Sequence, residues 1–152
     1  MDIKEADIVK QLRTSCNLNI DGLISTVKNY LKDFNEEKFV RAFVFAAEAH
    51  DGQVRKDGGK PYITHPYETA QILASLHADE TTLIAALLHD VPEDTDRTIK
   101  DIEINFGKKV AYLVEGITKL SKVHYRNNMQ ERQVESLKKL FRIGVFILPL
   151  KW

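Results

Sequence analysis

The sequence has little of several features that would, by themselves, identify the class of protein to which it belongs. It has a single cysteine, Cys16, so no disulfide can form within it, and this usage is typical of a reducing compartment. Its 22 basic and 22 acidic residues balance, which removes the overall positive charge expected of a nucleic-acid-binding domain. No apolar run approaches the roughly 20 residues that cross a bilayer, and the charged residues 1–10 do not resemble a secretory signal. We therefore expect a cytoplasmic protein without a nucleic-acid or membrane partner.

Helical periodicity is present over almost the whole chain. Apolar residues recur every three or four positions in residues 21–33, which predicts a helix there. Asn35 is a suitable N-cap for a second helix, with His50 on its apolar face and Gly52 as its stop. Because no segment alternates apolar and polar residues convincingly, the predicted fold class is all-α.

Proline and glycine separate the later helices. Residues 83–88 predict an apolar helix that begins at Asp79 or Thr81 and that Pro92 ends or kinks. The remaining predicted segments are a loop at residues 54–61, a helix with Pro66 at its start, a helix at residues 98–106 capped by Gly107 and a helix at residues 108–120.

The most informative stretch is the end of that apolar helix. His89 and Asp90 are adjacent there, and Glu93 and Asp94 follow within about one helical turn. Burying imidazole and carboxylate groups without partners costs several kcal/mol, and a divalent cation is the simplest partner that would neutralise them. His65, just before the preceding helix, adds a third ligand. This mixed nitrogen and oxygen set suits a first-row divalent ion with open positions better than a closed structural zinc site.

The other polar candidates are less specific. Glu93 and Asp94 are either a solvated acidic turn or a general acid/base pair beside the metal. Arg55 and Lys56 belong to a basic, glycine-containing loop, which is either solvated surface or a phosphate contact, and Tyr62 nearby offers a ring that can stack on a base. The combination predicts a phosphorylated, nucleotide-like ligand.

Three histidines lie outside this set. His50 is equally well explained as a hydrogen-bonding neighbour of the site, as a satisfied core histidine or as a ligand. His77 and His124 lie in polar stretches that we expect to be exposed, and no role is assigned to them.

These motifs resemble the hydrolase domain of the RelA/SpoT family, a helical bundle of the HD type. The similar segments are residues 49–66, 86–95, 106–107 and 114–120, within a region in register from about residue 36 to 122. The resemblance implies removal of pyrophosphate from the ribose 3′ position of the alarmone (p)ppGpp, in the stringent response. The implied cofactor is Mn²⁺, with another first-row divalent ion as the substitute.

The same resemblance implies roles for individual residues. The matching positions are His65, His89 and Asp90 for the metal, Glu93 and Asp94 for catalysis, and Arg55 and Lys56 for the substrate. The family's fourth metal ligand is an aspartate in a later helix, and no aspartate follows Asp101 in this sequence. We therefore expect modest Mn²⁺ affinity and slow or absent hydrolysis of guanosine tetra- and pentaphosphate.

The predicted organisation has three parts. Residues 1–35 form an N-terminal helical extension, residues 36–141 an incomplete HD hydrolase domain and residues 142–152 a divergent tail. The apolar residues 145–148 and Trp152 are expected to pack on the domain or against a second copy, which would give a homo-oligomer. Two alternatives to an alarmone hydrolase stay open: a catalytically impaired nucleotide-binding module, and an HD phosphohydrolase of another nucleotide.

Overall fold

The computed structural model of the chain describes residues 2–56 and 58–125. This part of the chain is all-α, as predicted. Its helices are α1 (Ile3–Ser15), α2 (Ile20–Tyr30), α3 (Glu36–Ala49), α4 (Thr64–Ser75), α5 (Glu80–Leu88), α6 (Val91–Asp94), α7 (Ile99–Phe106) and α8 (Lys108–Tyr125).

Local capping chemistry sets several helix ends where the sequence predicts them. Asn35, Asp79 and Thr98 each accept a hydrogen bond from the backbone N–H three residues further on, at 3.0, 2.8 and 3.2 Å. Asp79 is therefore the N-cap of α5, and the alternative, Thr81, lies inside that helix. Gly107 follows α7 with a φ of 96°, a conformation that favours glycine.

The ends of α2 and α8 differ from the prediction. Helix α2 begins earlier than the predicted segment 21–33, because the Asn19 side chain accepts a hydrogen bond from the Gly22 N–H at 3.0 Å and caps it. It also ends earlier, since Leu31 is extended, with φ −116° and ψ 98°. Helix α8 continues to Tyr125, five residues beyond its predicted end.

The helix ends that carry the candidate site also differ. Helix α3 ends at Ala49, with His50 rather than Gly52 as its C-cap. His65 lies in the first turn of α4, not before it. Helix α5 stops at Leu88, and Pro92 is the second residue of the single-turn helix α6, which begins at Val91. Proline lacks the N–H that would extend α5, and its fixed φ suits a first helical turn.

Helix α5 lies at the centre of the described structure. Residues 82–91 are buried without exception, and α5 packs against α3, α4 and α8. A helix that is apolar on every side can only be accommodated inside a core. The polar His89–Asp90 pair at its end is thereby held inside the protein.

The N-terminal helices contribute to the same core. Val9 and Leu12 of α1 are buried in one cluster with residues of α2 to α8. The Tyr67 hydroxyl of α4 also donates to the Asn19 carbonyl at 3.2 Å, ahead of α2. The division of the chain at residues 35 and 141 stays a prediction, and the tail 142–152 lies outside the described residues.

The predicted loop at residues 54–61 is part of a short hairpin. An isolated antiparallel bridge joins Val54 to Pro61, and the Tyr62 N–H donates to the Gln53 carbonyl at 2.9 Å. We call residues 53–62 the 53–62 hairpin. It connects α3 to α4, and so it lies between two elements that carry site residues.

Among the described helices, none combines the length and the apolar character that crossing a bilayer requires.

Candidate metal centre

The three predicted metal ligands come together although α4 separates the first from the other two. Asp90 Oδ2 lies 3.0 Å from His89 Nε2 and 3.4 Å from His65 Nε2. One ligand atom from each residue lies within 4.8 Å of the others. Among the described residues, no other three histidine, cysteine or acidic side chains meet in this way. This donor set is the one that a first-row divalent ion accepts.

The protonation of His89 supports a cation at this position. The side chain is fully buried, and its Nδ1 lies 2.5 Å from the Ala86 carbonyl oxygen. A carbonyl can only accept, so Nδ1 carries a proton, and in the neutral imidazole Nε2 then presents a lone pair toward Asp90. That Nε2 has no hydrogen-bond partner within the described part of the chain. Two buried electron-pair donors 3.0 Å apart are stabilised by a positive charge, which a divalent ion supplies.

Asp90 is directed into the site and not toward its own helix. It occupies the N-cap position of α6, yet its side chain makes no capping hydrogen bond. Instead the Tyr62 hydroxyl donates to Asp90 Oδ2 at 2.6 Å. The Tyr62 ring packs against the His50 and His65 rings, with centroids 4.7 and 5.7 Å apart. Tyr62, predicted as a stacking surface for a base, therefore reaches the metal ligands with its hydroxyl.

The acidic pair lies directly after the ligand pair, in α6. Glu93 is half-buried and Asp94 is exposed. The Gln53 side chain donates to the Asp94 carbonyl at 2.7 Å, and its Oε1 lies 2.9 Å from His50 Nδ1. The turn that carries both carboxylates is thus tied to the end of α3.

His50 is a hydrogen-bonding neighbour of the site, which was one of its three predicted roles. Burial, the largest influence, lowers the pKa of His50 below its ordinary value of 6.5. The group of three candidate ligands does not include it. Sequence reasoning did not single out Gln53, and its three-residue spacing from His50 is the signal that would have found it.

The basic loop residues lie in different surroundings. Arg55 Nη1 lies 2.8 Å from Glu68 Oε2 and 3.5 Å from Thr64 Oγ1, so the guanidinium is held beside the first turn of α4. Because Thr64 directly precedes His65, the Arg55 guanidinium lies near the three candidate metal ligands. Lys56 is exposed on the 53–62 hairpin.

His77, to which no role was assigned, is exposed, as expected, and packs against Tyr30. The two rings stack at a centroid distance of 4.5 Å. The residues predicted to pack or self-associate, 145–148 and Trp152, lie outside the described residues.

Comparison with known proteins identifies related chains. Residues 42–144 match the HD domain family. The chain is 45% identical over 120 residues to the bifunctional (p)ppGpp synthase/hydrolase SpoT of Escherichia coli, a match that covers 79% of this chain and 17% of that protein. It is 50% identical over 95 residues to the guanosine-3′,5′-bis(diphosphate) 3′-pyrophosphohydrolase of Aquifex aeolicus, covering 62% of this chain and 14% of the relative.

A solved structure is also similar. It is that of a metazoan ortholog of SpoT, which hydrolyses ppGpp and plays a role in starvation responses. The TM-score is 0.52 and the identity 41%, over 54% of this chain and 48% of the other. The chain spans 17% or less of the length of these curated relatives. The similarity therefore does not assign the complete activities of those proteins to this chain. The family match covers more than half of the chain, and the chain belongs to the HD domain family.

Proposed function

We propose that this chain hydrolyses the 3′-pyrophosphate of ppGpp and pppGpp in the cytoplasm, with Mn²⁺ held by His65, His89 and Asp90. The observation that carries the proposal is the buried contact of His89 Nε2 with Asp90 Oδ2 at 3.0 Å. Because Nδ1 holds the proton of a neutral His89, a cation between Nε2 and Asp90 Oδ2 would complete this contact. The likeness to ppGpp hydrolases supports the choice of substrate.

In the proposed reaction the chain's own residues bind the substrate and move a proton. A divalent ion, when bound, supplies Lewis acidity toward phosphate oxygens. Arg55 and Lys56 neutralise the pyrophosphate charge through charge-assisted hydrogen bonds. Glu93 and Asp94 accept the proton of the attacking water. Water adds to the phosphorus that bears the ribose 3′ oxygen, and that P–O bond breaks. The released 3′ oxygen takes up the proton that the acidic pair accepted, and pyrophosphate leaves.

A second candidate is a nucleotide-binding module with little turnover. Among the described residues, three candidate ligand residues meet. An ion with fewer protein ligands is less firmly fixed. Misplacement of reacting groups by about 1 Å can lower a rate on the order of a hundredfold.

The test is turnover of ppGpp by the purified chain, followed by anion-exchange chromatography of the products. We expect pyrophosphate release that requires Mn²⁺, stops in EDTA and runs well below the roughly 10 s⁻¹ of a median enzyme. His89→Ala should abolish release, whereas the control His77→Asn should not. The control changes an exposed histidine that is not among the candidate ligands.

The other outcomes separate the alternatives. Binding of ppGpp without turnover would reject the proposed hydrolase activity and favour the nucleotide-binding module. Turnover of another nucleotide in preference to ppGpp would agree with the proposed metal site but reject ppGpp as the substrate. A rate near 10 s⁻¹ would show that a further group completes the ligand set.

A further inference from the structure

We infer that Tyr62 is a positioning residue for the metal: its hydroxyl holds the Asp90 carboxylate in the orientation that meets both histidines. The inference rests on the metal site of the proposed function. It differs from the prediction that the Tyr62 ring stacks on the substrate's base.

The geometry converges on a single oxygen atom. Asp90 Oδ2 accepts the Tyr62 hydroxyl at 2.6 Å, and the same atom lies 3.0 and 3.4 Å from the two histidine Nε2 atoms. A distance of 2.6 Å lies in the range of hydrogen bonds to ionised carboxylates. A carboxylate can rotate about its Cβ–Cγ bond, and a donor fixed on Oδ2 determines which oxygen faces the histidines.

Helix α6 does not supply this restraint. An aspartate at an N-cap commonly accepts a hydrogen bond from the backbone two or three residues further on, but the Asp90 side chain makes no such bond. The Asp90 carboxylate is also buried, with 3% of the side chain exposed, so hydrogen bonds to solvent contribute little to its orientation. The tyrosine hydroxyl therefore fixes a torsion that the local backbone leaves open.

Tyr62 is itself fixed at both ends. Its N–H donates to the Gln53 carbonyl at 2.9 Å, at the base of the 53–62 hairpin. Its ring packs against His50 and His65. A side chain restrained in this way can transfer its position to Asp90. The partners that orient a ligating carboxylate typically change metal affinity 10- to 100-fold when removed.

Phenylalanine at this position separates the two roles. Tyr62→Phe keeps the ring, so a stacking role predicts unchanged substrate binding and unchanged metal binding. A positioning role predicts weaker metal binding, because only the hydroxyl is lost.

The experiment titrates Mn²⁺ into the metal-stripped full chain by isothermal calorimetry, with Mn²⁺ electron paramagnetic resonance as a second measurement. We expect Tyr62→Phe to bind about 10- to 100-fold more weakly than wild type and to change the resonance spectrum of the bound ion. The matched control is Tyr30→Phe. It also removes one tyrosine hydroxyl bond, to the Ala78 carbonyl at 2.8 Å, and it should bind Mn²⁺ as wild type does.

A rescue variant keeps the test valid if Tyr62→Phe does not fold. Replacing Tyr62 with 4-aminophenylalanine retains a donor at the same end of the ring, and we expect most of the wild-type affinity. Equal affinity of wild type and folded Tyr62→Phe would overturn the inference, as would loss of affinity in the folded amino variant. Absence of Mn²⁺ binding by wild type would instead reject the metal site, and the proposed function with it.

Discussion

His50 is a buried base held by one hydrogen bond. Its Nδ1 contacts Gln53 Oε1 at 2.9 Å, and its buried Nε2 has no hydrogen-bond partner within the described residues. Burial lowers the pKa of His50, and the hydrogen bond to Gln53 and the charge of Asp90 only partly oppose that effect. The folded protein therefore resists protonation of a group that the unfolded chain protonates readily.

This difference predicts that stability falls in mild acid. The contribution of neutral His50 is fully present above the ordinary pKa of 6.5. It is lost as pH falls below that value, because the unfolded state then binds more protons than the folded state. The slope is at most about 1.4 kcal/mol per pH unit for one group. Urea unfolding of wild type and His50→Gln, from about pH 7.5 to about pH 5, should show a smaller slope in the variant. Parallel curves would contradict the prediction.

At the scale of elements, two glycines are predicted to respond oppositely to the same substitution. Gly107, between α7 and α8, has φ 96° and ψ 168°, a region that is almost exclusive to glycine. Gly116 lies within α8 and has no such φ. A Cβ atom would meet nothing within 4 Å at either position, so backbone preference decides both outcomes.

We expect Gly107→Ala to lower the free energy of unfolding by about 1–3 kcal/mol. Gly116→Ala should raise it by about 0.8–1 kcal/mol, the difference in helix propensity between the two residues. Urea denaturation of both variants under one set of conditions measures the pair. Shifts of the same sign would show that the backbone account of the α7–α8 junction is wrong.

The helix ends show which parts of the fold the sequence can predict. Asn35, Asp79 and Thr98 satisfy N–H groups three residues away, and such short-range chemistry is visible in the sequence. The end of α2 was predicted wrongly because apolar periodicity continues into Leu31, while the backbone there is extended. Periodicity identifies an apolar face but not the residue at which the chain leaves it.

The site divides in the same way. The ligand pair His89–Asp90 was identified because the two residues are adjacent and end an apolar helix. The hydroxyl of Tyr62 reaches Asp90 across 28 residues of sequence, and Gln53 reaches Asp94 across 41. These contacts depend on how α3, α4 and α6 pack, and no local pattern encodes them.

At the scale of the whole molecule, the candidate metal site joins separate elements. His65 belongs to the first turn of α4, whereas His89 and Asp90 connect α5 to α6. An ion bound by all three holds these helices together, and the unfolded chain does not present the three groups at these distances. Metal binding is therefore coupled to folding.

We expect Mn²⁺ to raise the melting temperature of the chain. Free ion at 100 times its Kd stabilises a folded protein by about 2.7 kcal/mol, which corresponds to roughly 5–10 °C for a chain of this size. Differential scanning calorimetry with Mn²⁺, and again after EDTA, measures the shift and its reversal. His89→Ala should lose the shift relative to its own metal-free form, because Asp90 then faces one histidine.

The control for this measurement is His77→Asn. His77 adopts a left-handed backbone with φ 58°, and asparagine tolerates that conformation better than most residues. This variant keeps the three candidate ligands, so it should keep the full Mn²⁺ shift. A shift that persists in His89→Ala would mean that the ion stabilises the fold from another position. The buried contact between His89 and Asp90 would then have to be stabilised by a different cation or by a proton.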